Sequence, residues 1–97
     1  MTILPTVISP VLYVLQCEHD CVYVGITMNF NLRYAQHQSG SGARWTRLHK
    51  PLSVIEIIPN ASMDMEDQKT REYMNEYGWE NVRGGKWTKI DYKMDPR

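Results

Sequence analysis

The sequence predicts a small α+β domain in which a three-stranded, mainly antiparallel sheet is flanked by helices, in the order ββ-α-α-β-α. Two β-branched and aromatic runs, 11–17 and 21–26, are joined by a short polar turn, as in a β-hairpin. Residues 62–77 carry apolar side chains at helical spacing and are followed by a glycine. A third apolar run lies at 52–58, and a layer of helices on a sheet would bury these apolar faces.

Size and composition are those of one globular domain. The 97 residues are 42% hydrophobic and 23% charged, and a chain of this length buries one modest core. We expect a single domain over 1–97, with its core at about 11–88 and flexible termini. No apolar run reaches the roughly 20 residues that a membrane helix needs. The first residues lack the basic start of a signal peptide, so we expect an intracellular protein of the cytoplasm or nucleus that is not secreted.

The first three elements form a ββα unit. The strands are Val11–Cys17 and Cys21–Ile26, whose β-branched and aromatic residues favour extended structure. Asn29 or Asn31 then offers a side-chain oxygen that can cap a helix at about Phe30–Gln38. The Ser-Gly-Ser-Gly loop that follows ends this helix, because glycine favours turns and destabilises helix interiors.

The second half of the chain supplies two more helices and a strand. Ala43–His49 is predicted to be a short helix that stops before a proline, and Leu52–Ile58 is the third strand. Ser62 or Asp64 can cap the last helix. The apolar stripe of this helix consists of Thr70, Tyr73, Met74 and Tyr77. The segment Trp79–Thr88 is predicted to be a loop or a short extended segment.

Charge is distributed unevenly along the chain, although the formal net charge is zero. No Asp or Glu occurs between Cys21 and Ile55. The arginines and lysines of this acid-free segment are Arg33, Arg44, Arg47 and Lys50. Acidic residues predominate in the segment that follows, and basic residues predominate again near the C-terminus. A neutral total can therefore hide a positive face suited to nucleic acid; the alternative is an ordinary solvated surface.

Cys17 and Cys21 bracket Glu-His-Asp at the predicted hairpin turn. A Cys-x-His-x-Cys cluster offers possible metal ligands, but this spacing does not match that of zinc sites. A disulfide across the turn would be unusual in a reducing compartment. We therefore interpret both residues as thiols at strand ends.

The ββα unit concentrates side chains that suit phosphodiester chemistry. Arg33 and His37 lie one turn apart on the same face of the predicted helix. An arginine fork matches phosphate oxygens, and a histidine titrates near neutrality and can transfer a proton. Tyr13 and Tyr23 lie in the two strands, where a cationic neighbour could depress the pKa of a phenol enough for it to act as a base. Taken singly, each of these residues is also compatible with packing or surface roles.

The order and spacing of these residues resemble the GIY-YIG nuclease family. Tyr13 closes Val-Leu-Tyr in the first strand, and Tyr23 opens Tyr-Val-Gly, which ends at Gly25, in the second. Arg33 and His37 then follow eight and twelve residues after that glycine. The first motif has Val-Leu in place of Gly-Ile, but the phenol that the chemistry uses is present. Each motif is common alone, whereas the ordered set is specific.

Later residues extend the resemblance to about 11–88. Glu72 resembles the metal-binding glutamate of the family, although helical periodicity alone does not distinguish it from Glu66 or Glu76. Asn81 resembles an asparagine that the family often carries after this helix. The stretch GARWTRLHKPLSVIEII is similar to the small stand-alone, URI-domain-like bacterial members, and also to the eukaryotic nuclease subunit that cuts branched DNA.

The resemblance implies a metal-dependent DNA endonuclease that hydrolyses phosphodiester bonds by one-metal, in-line attack of a water activated by a tyrosine. The implied catalytic set is Tyr13, Tyr23, Arg33, His37 and Glu72. Glu72 would hold Mg²⁺, for which Mn²⁺ could substitute, and Gly25 and Asn81 would lie near the site. Either tyrosine could be the general base. Some members carry a lysine after the second motif, where this chain has Ile26 and Thr27.

Double-stranded or branched DNA is the substrate that this resemblance implies. Arg44, Arg47 and Lys50 could contact phosphates, but the sequence offers little that would enter a groove and read base edges. We therefore expect recognition of DNA structure, such as the branches of repair and recombination, or a protein partner that supplies specificity. Two alternatives are a nucleic-acid-binding module that does not cut and a nuclease subunit that needs its partner for activity.

Overall fold

A computed structural model describes residues 9–97, which fold as an α+β domain with helices on both faces of a sheet. The strands are β1 (Val11–Cys17), β2 (Val22–Thr27), β3 (Pro51–Ile58) and β4 (Val82–Gly84), and the helices are α1 (Phe30–Ser39), α2 (Arg44–Leu48) and α3 (Met63–Tyr77). The strand order is β3-β1-β2-β4. β1 is antiparallel to β2 and β3, whereas β4 is parallel to β2. The prediction of three strands was wrong: in the described residues the sheet has four strands and is mixed.

The additional strand, β4, lies in the segment that was predicted to be a loop or a short extended segment. It is three residues long, too short to show the alternating pattern by which strands are recognised, and two glycines at its end are typical of a turn. Gly84 adopts a φ of 152°, and a Cβ there would clash with the carbonyl oxygen of Val24. The close approach of β4 to β2 therefore requires a glycine at this position.

Both predicted helix caps are present. The side chain of Asn29 accepts a hydrogen bond from the backbone N–H of Leu32, and Ser62, rather than Asp64, does the same for Met65 at the start of α3. The predicted apolar stripe of α3 faces the sheet, since Thr70, Tyr73 and Met74 are buried and Tyr77 packs against the core.

The alternation of side chains along β1 and β2 creates two apolar layers. One layer lies between the sheet and α3 and contains Leu12, Val14, Val22, Val24 and Met74. The other layer, on the side of α1 and α2, contains Tyr13, Leu15, Cys17, Cys21 and Trp45. Cys17 and Cys21 are buried free thiols, as expected for strand ends. In the described part of the chain, no helix is long and apolar enough to cross a bilayer.

Arg83 joins β4 to the C-terminal segment. Its guanidinium donates hydrogen bonds to the carbonyl oxygens of Trp79, Val82, Lys89 and Ile90. The same group lies 4.5 Å from the centre of the Trp45 ring and 4.8 Å from that of Tyr92. Because carbonyl dipoles and aromatic faces stabilise a cation, this arrangement compensates part of the cost of burying Arg83. It also fixes the residues that follow β4 beside α2.

Candidate active site

A buried hydrogen bond between Tyr13 and His37 forms the centre of the site. Tyr13 Oη lies 2.7 Å from His37 Nε2, and both side chains are almost fully buried. Tyr13 pairs with Gly25 across the hairpin, and a Cβ at Gly25 would clash with the Tyr13 ring. The glycine of the second motif therefore provides the space in which the Tyr13 ring lies over β2.

Hydrogen bonds on the other side of His37 select its tautomer. His37 Nδ1 lies 2.8 Å from Thr46 Oγ1, and that hydroxyl lies 3.0 Å from the carbonyl oxygen of Ala43. A carbonyl only accepts, so the Thr46 hydroxyl donates to Ala43 and accepts from Nδ1–H of His37. Nε2 then carries no proton and accepts the Tyr13 O–H. A Cβ at Gly42 would lie 2.5 Å from Nδ1, so the loop can approach His37 this closely only with glycine.

Burial shifts the pKa values of Tyr13 and His37 in opposite directions. It raises the pKa of Tyr13 well above its usual range, and the nearby Tyr23 adds to the rise. Burial, together with the positive charge of Arg33, lowers the pKa of His37 to about 4. His37 is therefore a neutral acceptor at pH 7. Arg33 lowers the pKa of Tyr13, as the sequence suggested a cationic neighbour could, but among the described residues burial outweighs this effect.

Tyr23 and Arg33 complete this cluster. The Tyr23 ring centre lies 5.0 Å from that of His37 and 6.3 Å from that of Tyr13. Burial also raises the pKa of Tyr23. The guanidinium of Arg33 interacts with both phenols and acts to lower their pKa values. The structure thus brings together four of the five residues predicted to be catalytic.

Glu66 is the carboxylate whose charge affects both tyrosines of this cluster. It is 9% exposed, and its negative charge adds to the burial effects that raise the pKa of Tyr13 and Tyr23. Burial and the neighbouring Asp67 raise the pKa of Glu66 itself, and a hydrogen bond from the Ile26 backbone opposes that rise. The carboxylate is therefore held at the end of β2, close enough to the tyrosines for its charge to affect both.

The structure does not bring Glu72 to the cluster. Its side chain is 54% exposed, and its Oε2 lies 3.2 Å from Lys69 Nζ. Six residues separate Glu66 from Glu72, which corresponds to about 9 Å along the helix and about 120° around it. One sequence signal could have identified Glu66: it lies one turn before Thr70 and so continues the buried stripe of α3, where an unpaired carboxylate is unusual.

The chemistry of Glu66 fits a hard divalent cation. Within residues 9–97, no group of three or more His, Cys, Asp or Glu side chains is arranged to hold a metal ion. Mg²⁺ prefers oxygen ligands and keeps several waters, so one carboxylate together with substrate phosphate can hold it. A buried carboxylate whose pKa is raised by burial gains stability when a cation approaches. Glu66 therefore meets the requirement for a one-carboxylate site.

The remaining predicted residues lie at the end of α3, on α2 and before β3. The side-chain amide of Asn81 donates to the carbonyl oxygen of Tyr77 at 2.9 Å and so closes the end of α3. Arg44 and Arg47 are exposed on α2, and Lys50, also exposed, precedes β3. Arg44 also lines a cleft that contains Tyr23 and Arg33.

The arrangement of two strand tyrosines, a glycine that clears one of them and an Arg–His helix matches a known family. The model of the GIY-YIG catalytic domain matches residues 9–81. The chain belongs to the GIY-YIG family. The matched model describes a catalytic domain; the activity and the substrate of this chain are proposed below.

Curated relatives belong to the UPF0213 proteins, a small stand-alone GIY-YIG family. A UPF0213 protein of Cupriavidus pinatubonensis is 50% identical over 44 residues, which cover 45% of this chain and 49% of the relative. A UPF0213 protein of Pediococcus acidilactici is 36% identical over 61 residues, which cover 63% of this chain and 62% of the relative. The chain thus spans about half the length of the first relative and less than two thirds of the second. No solved structure gives a significant match.

Acid should destabilise the fold through His37. The folded-state pKa of His37, about 4, lies below the ordinary histidine value of 6.5, so the unfolded chain binds a proton at a pH where the folded chain does not. The resulting stability is present above pH 6.5 and is lost as the pH falls toward 4. We expect His37 to contribute on the order of 3 kcal/mol to this loss. The free energy of unfolding, measured in urea between pH 7 and pH 4, should fall more steeply for the wild type than for His37→Gln; equal slopes would contradict the assignment.

Proposed function

We propose that the protein is a metal-dependent DNA endonuclease in which Tyr13 is the general base and His37 receives the Tyr13 proton. The observation that supports this most directly is the 2.7 Å contact between Tyr13 Oη and the unprotonated Nε2 of His37. Arg33 and the buried Glu66 lie at the same cluster. A general base, a phosphate-binding cation and a carboxylate are the parts that phosphodiester hydrolysis requires.

The proposed proton path avoids a free phenolate. As the attacking water loses a proton to Tyr13 Oη, the Tyr13 proton passes to Nε2 of His37. Thr46 accepts from Nδ1–H throughout and so keeps the ring in the receiving tautomer. Because burial raises the pKa of Tyr13, a phenolate formed in advance would be unfavourable. Because the two proton transfers are coupled, no free phenolate has to form.

Arg33 and Glu66 would stabilise the charge that develops at phosphorus. Arg33 provides a positive charge, and its planar fork matches two phosphate oxygens. We assign the metal to Glu66 in place of Glu72, because Glu66 is the carboxylate that lies with the tyrosines. A Mg²⁺ or Mn²⁺ ion bound there would polarise the phosphoryl oxygen and stabilise the leaving alkoxide.

Recognition would depend on DNA structure more than on sequence. The exposed cations Arg44, Arg47 and Lys50, the first of which lines a cleft with Tyr23 and Arg33, suit phosphates, which carry no base identity. We therefore propose branched, flapped or nicked DNA as the preferred substrate, with a protein partner as an additional source of specificity. Cleavage restricted to one short linear sequence would contradict this proposal.

The first prediction for activity separates the two glutamates. With Mg²⁺ or Mn²⁺ and a panel of linear, flap and four-way DNAs, Glu66→Gln should lower cleavage at least about 100-fold, because the metal contributes several kcal/mol to the transition state. Glu72→Gln is the matched control: it changes a carboxylate to an amide on the same helix and should retain most activity.

The possible outcomes discriminate between the functions considered. Loss of activity in Glu72→Gln but not in Glu66→Gln would reverse the assignment of the metal ligand. Equal activity in wild type and both variants would indicate contamination or a different ligand. No cleavage by the wild type, with DNA binding retained, would favour a binding module or a subunit that needs its partner.

Thr46 is proposed to be a positioning residue that acts through His37. Thr46→Val removes the acceptor for Nδ1–H and leaves a buried donor without a partner, so kcat should fall about tenfold. The acid limb of the pH profile should move to lower pH, because the imidazolium also loses a hydrogen bond. Thr46→Ser keeps the hydroxyl and should restore both rate and profile. An unchanged profile in Thr46→Val would contradict this role.

The basic residues make a separate prediction about binding. Replacing Arg44, Arg47 and Lys50 together with Ala should weaken binding to a similar extent on all sequences. It should also reduce the slope of log K against log salt by about 2 to 3 units, since each phosphate contact releases counterions. Fluorescence anisotropy between 50 and 200 mM salt measures the slope. An unchanged slope would mean that these charges belong to an ordinary solvated surface.

A further inference from the structure

A cleft of about 380 Å³ opens beside the tyrosine cluster. It is lined by Tyr23, Arg33, Ala43, Arg44, Trp45, Arg83 and Thr88. Two of these residues, Tyr23 and Arg33, also belong to the proposed active site. The cleft therefore continues that site toward the start of α2 and the segment that follows β4.

The charge of this cleft is positive throughout. Three of its lining residues are arginines, and none is an aspartate or a glutamate. Among residues 9–97, the ion pairs involve Lys69 and Arg97 but none of the arginines of the cleft. A concave surface that holds several unneutralised cations attracts an anion.

The arginines of the cleft have different roles. Arg83 is 2% exposed and donates to four backbone carbonyls, so it contributes charge but has little capacity for a ligand. Arg44 is exposed, and among the described residues its guanidinium has no hydrogen-bond partner. The Thr88 hydroxyl, also exposed, is a second available donor. Arg44 and Thr88 are thus the groups that could bind directly at the outer end, beyond Arg33.

The lining favours a phosphate over a nucleobase. The Trp45 ring lies 4.5 Å from the Arg83 guanidinium and 4.4 Å from the His49 ring, and its Nε1–H donates to the Val22 carbonyl. It is therefore already packed and cannot serve as a stacking platform. The lining also lacks the Asn, Gln, Asp or Glu side chains that pair with adenine or cytosine edges. What remains is guanidinium and hydroxyl donors, which suit a phosphate; a guanine edge is the one base edge that the arginines could also bind.

We infer that this cleft binds the phosphate adjacent to the scissile phosphate on the cleaved strand, with Arg44 as its principal ligand. The inference rests on the proposed nuclease function, since it takes Arg33 to contact the scissile phosphate. Two consecutive phosphates would then lie along Arg33 and Arg44. This contact fixes the register of the cleaved strand without reading a base, as expected for an enzyme that recognises DNA structure.

Neutral backbone linkages test this subsite one phosphate at a time. A junction DNA whose cleavage position has been mapped is made with a single methylphosphonate at either neighbour of the scissile linkage. For the wild type, one of these two substitutions should lower kcat/KM about tenfold, because one charge-assisted contact is lost. The Arg44→Ala variant should already cleave the unmodified DNA with a lower kcat/KM. The same methylphosphonate should not lower that kcat/KM further. Arg71→Ala removes an arginine from the exposed side of α3 and should retain the wild-type response.

Binding of the same DNAs separates this inference from the proposed function. A single methylphosphonate is placed at successive positions along the strand, and binding is measured by anisotropy. For the wild type, two adjacent positions should weaken binding, and for Arg44→Ala only one should, whether or not the protein cuts. That pattern without cleavage would support the subsite and reject the nuclease. Cleavage combined with an equal methylphosphonate effect in wild type and Arg44→Ala would reject the subsite and leave the nuclease standing. A wild type with no adjacent sensitive pair would also overturn the inference.

Discussion

The buried hydrogen bond between Tyr13 and His37 is the constraint on which the rest of the site depends. It joins β1 to α1 through the layer that also holds Trp45, and both side chains are almost fully buried. Gly25 and Gly42 are needed because a Cβ at either position would collide with this pair. This one hydrogen bond is therefore enclosed by the hairpin, the α1–α2 loop and the start of α2.

Burial of that bond also determines the chemistry available to it. In a low-dielectric environment both charged forms are disfavoured, so the pKa of Tyr13 rises and that of His37 falls to about 4. The pair is consequently neutral over a wide range of pH, and a proton can move only when a new charge compensates it. A substrate phosphate held by Arg33 would supply that charge.

The sequence predicted the elements with local signals and missed those without them. The hairpin, the capped helices and the Tyr–Arg–His cluster each have a pattern of fixed spacing, and each is found. β4 was missed because its pairing with β2 is long-range and only three residues long. Glu66 was not distinguished from Glu72. Helical periodicity predicts which positions are buried, but a carboxylate is expected to be exposed at any position. The role of Thr46 depends on a hydrogen bond to a residue nine positions away, which no motif encodes.

Arg83 explains how a chain of zero net charge can present a positive cleft. The cost of burying its guanidinium is offset by carbonyl oxygens and by the rings of Trp45 and Tyr92, not by a carboxylate, so its charge is not cancelled locally. Its hydrogen bonds to Lys89 and Ile90 also fix the segment that places Thr88 in the cleft wall. The inner charge is thus permanent and structural, whereas Arg44 at the rim is free to exchange water for phosphate. The salt dependence of DNA affinity would then come mainly from Arg44 at the rim. The position of the bound DNA strand would be set by the buried residues of the cleft.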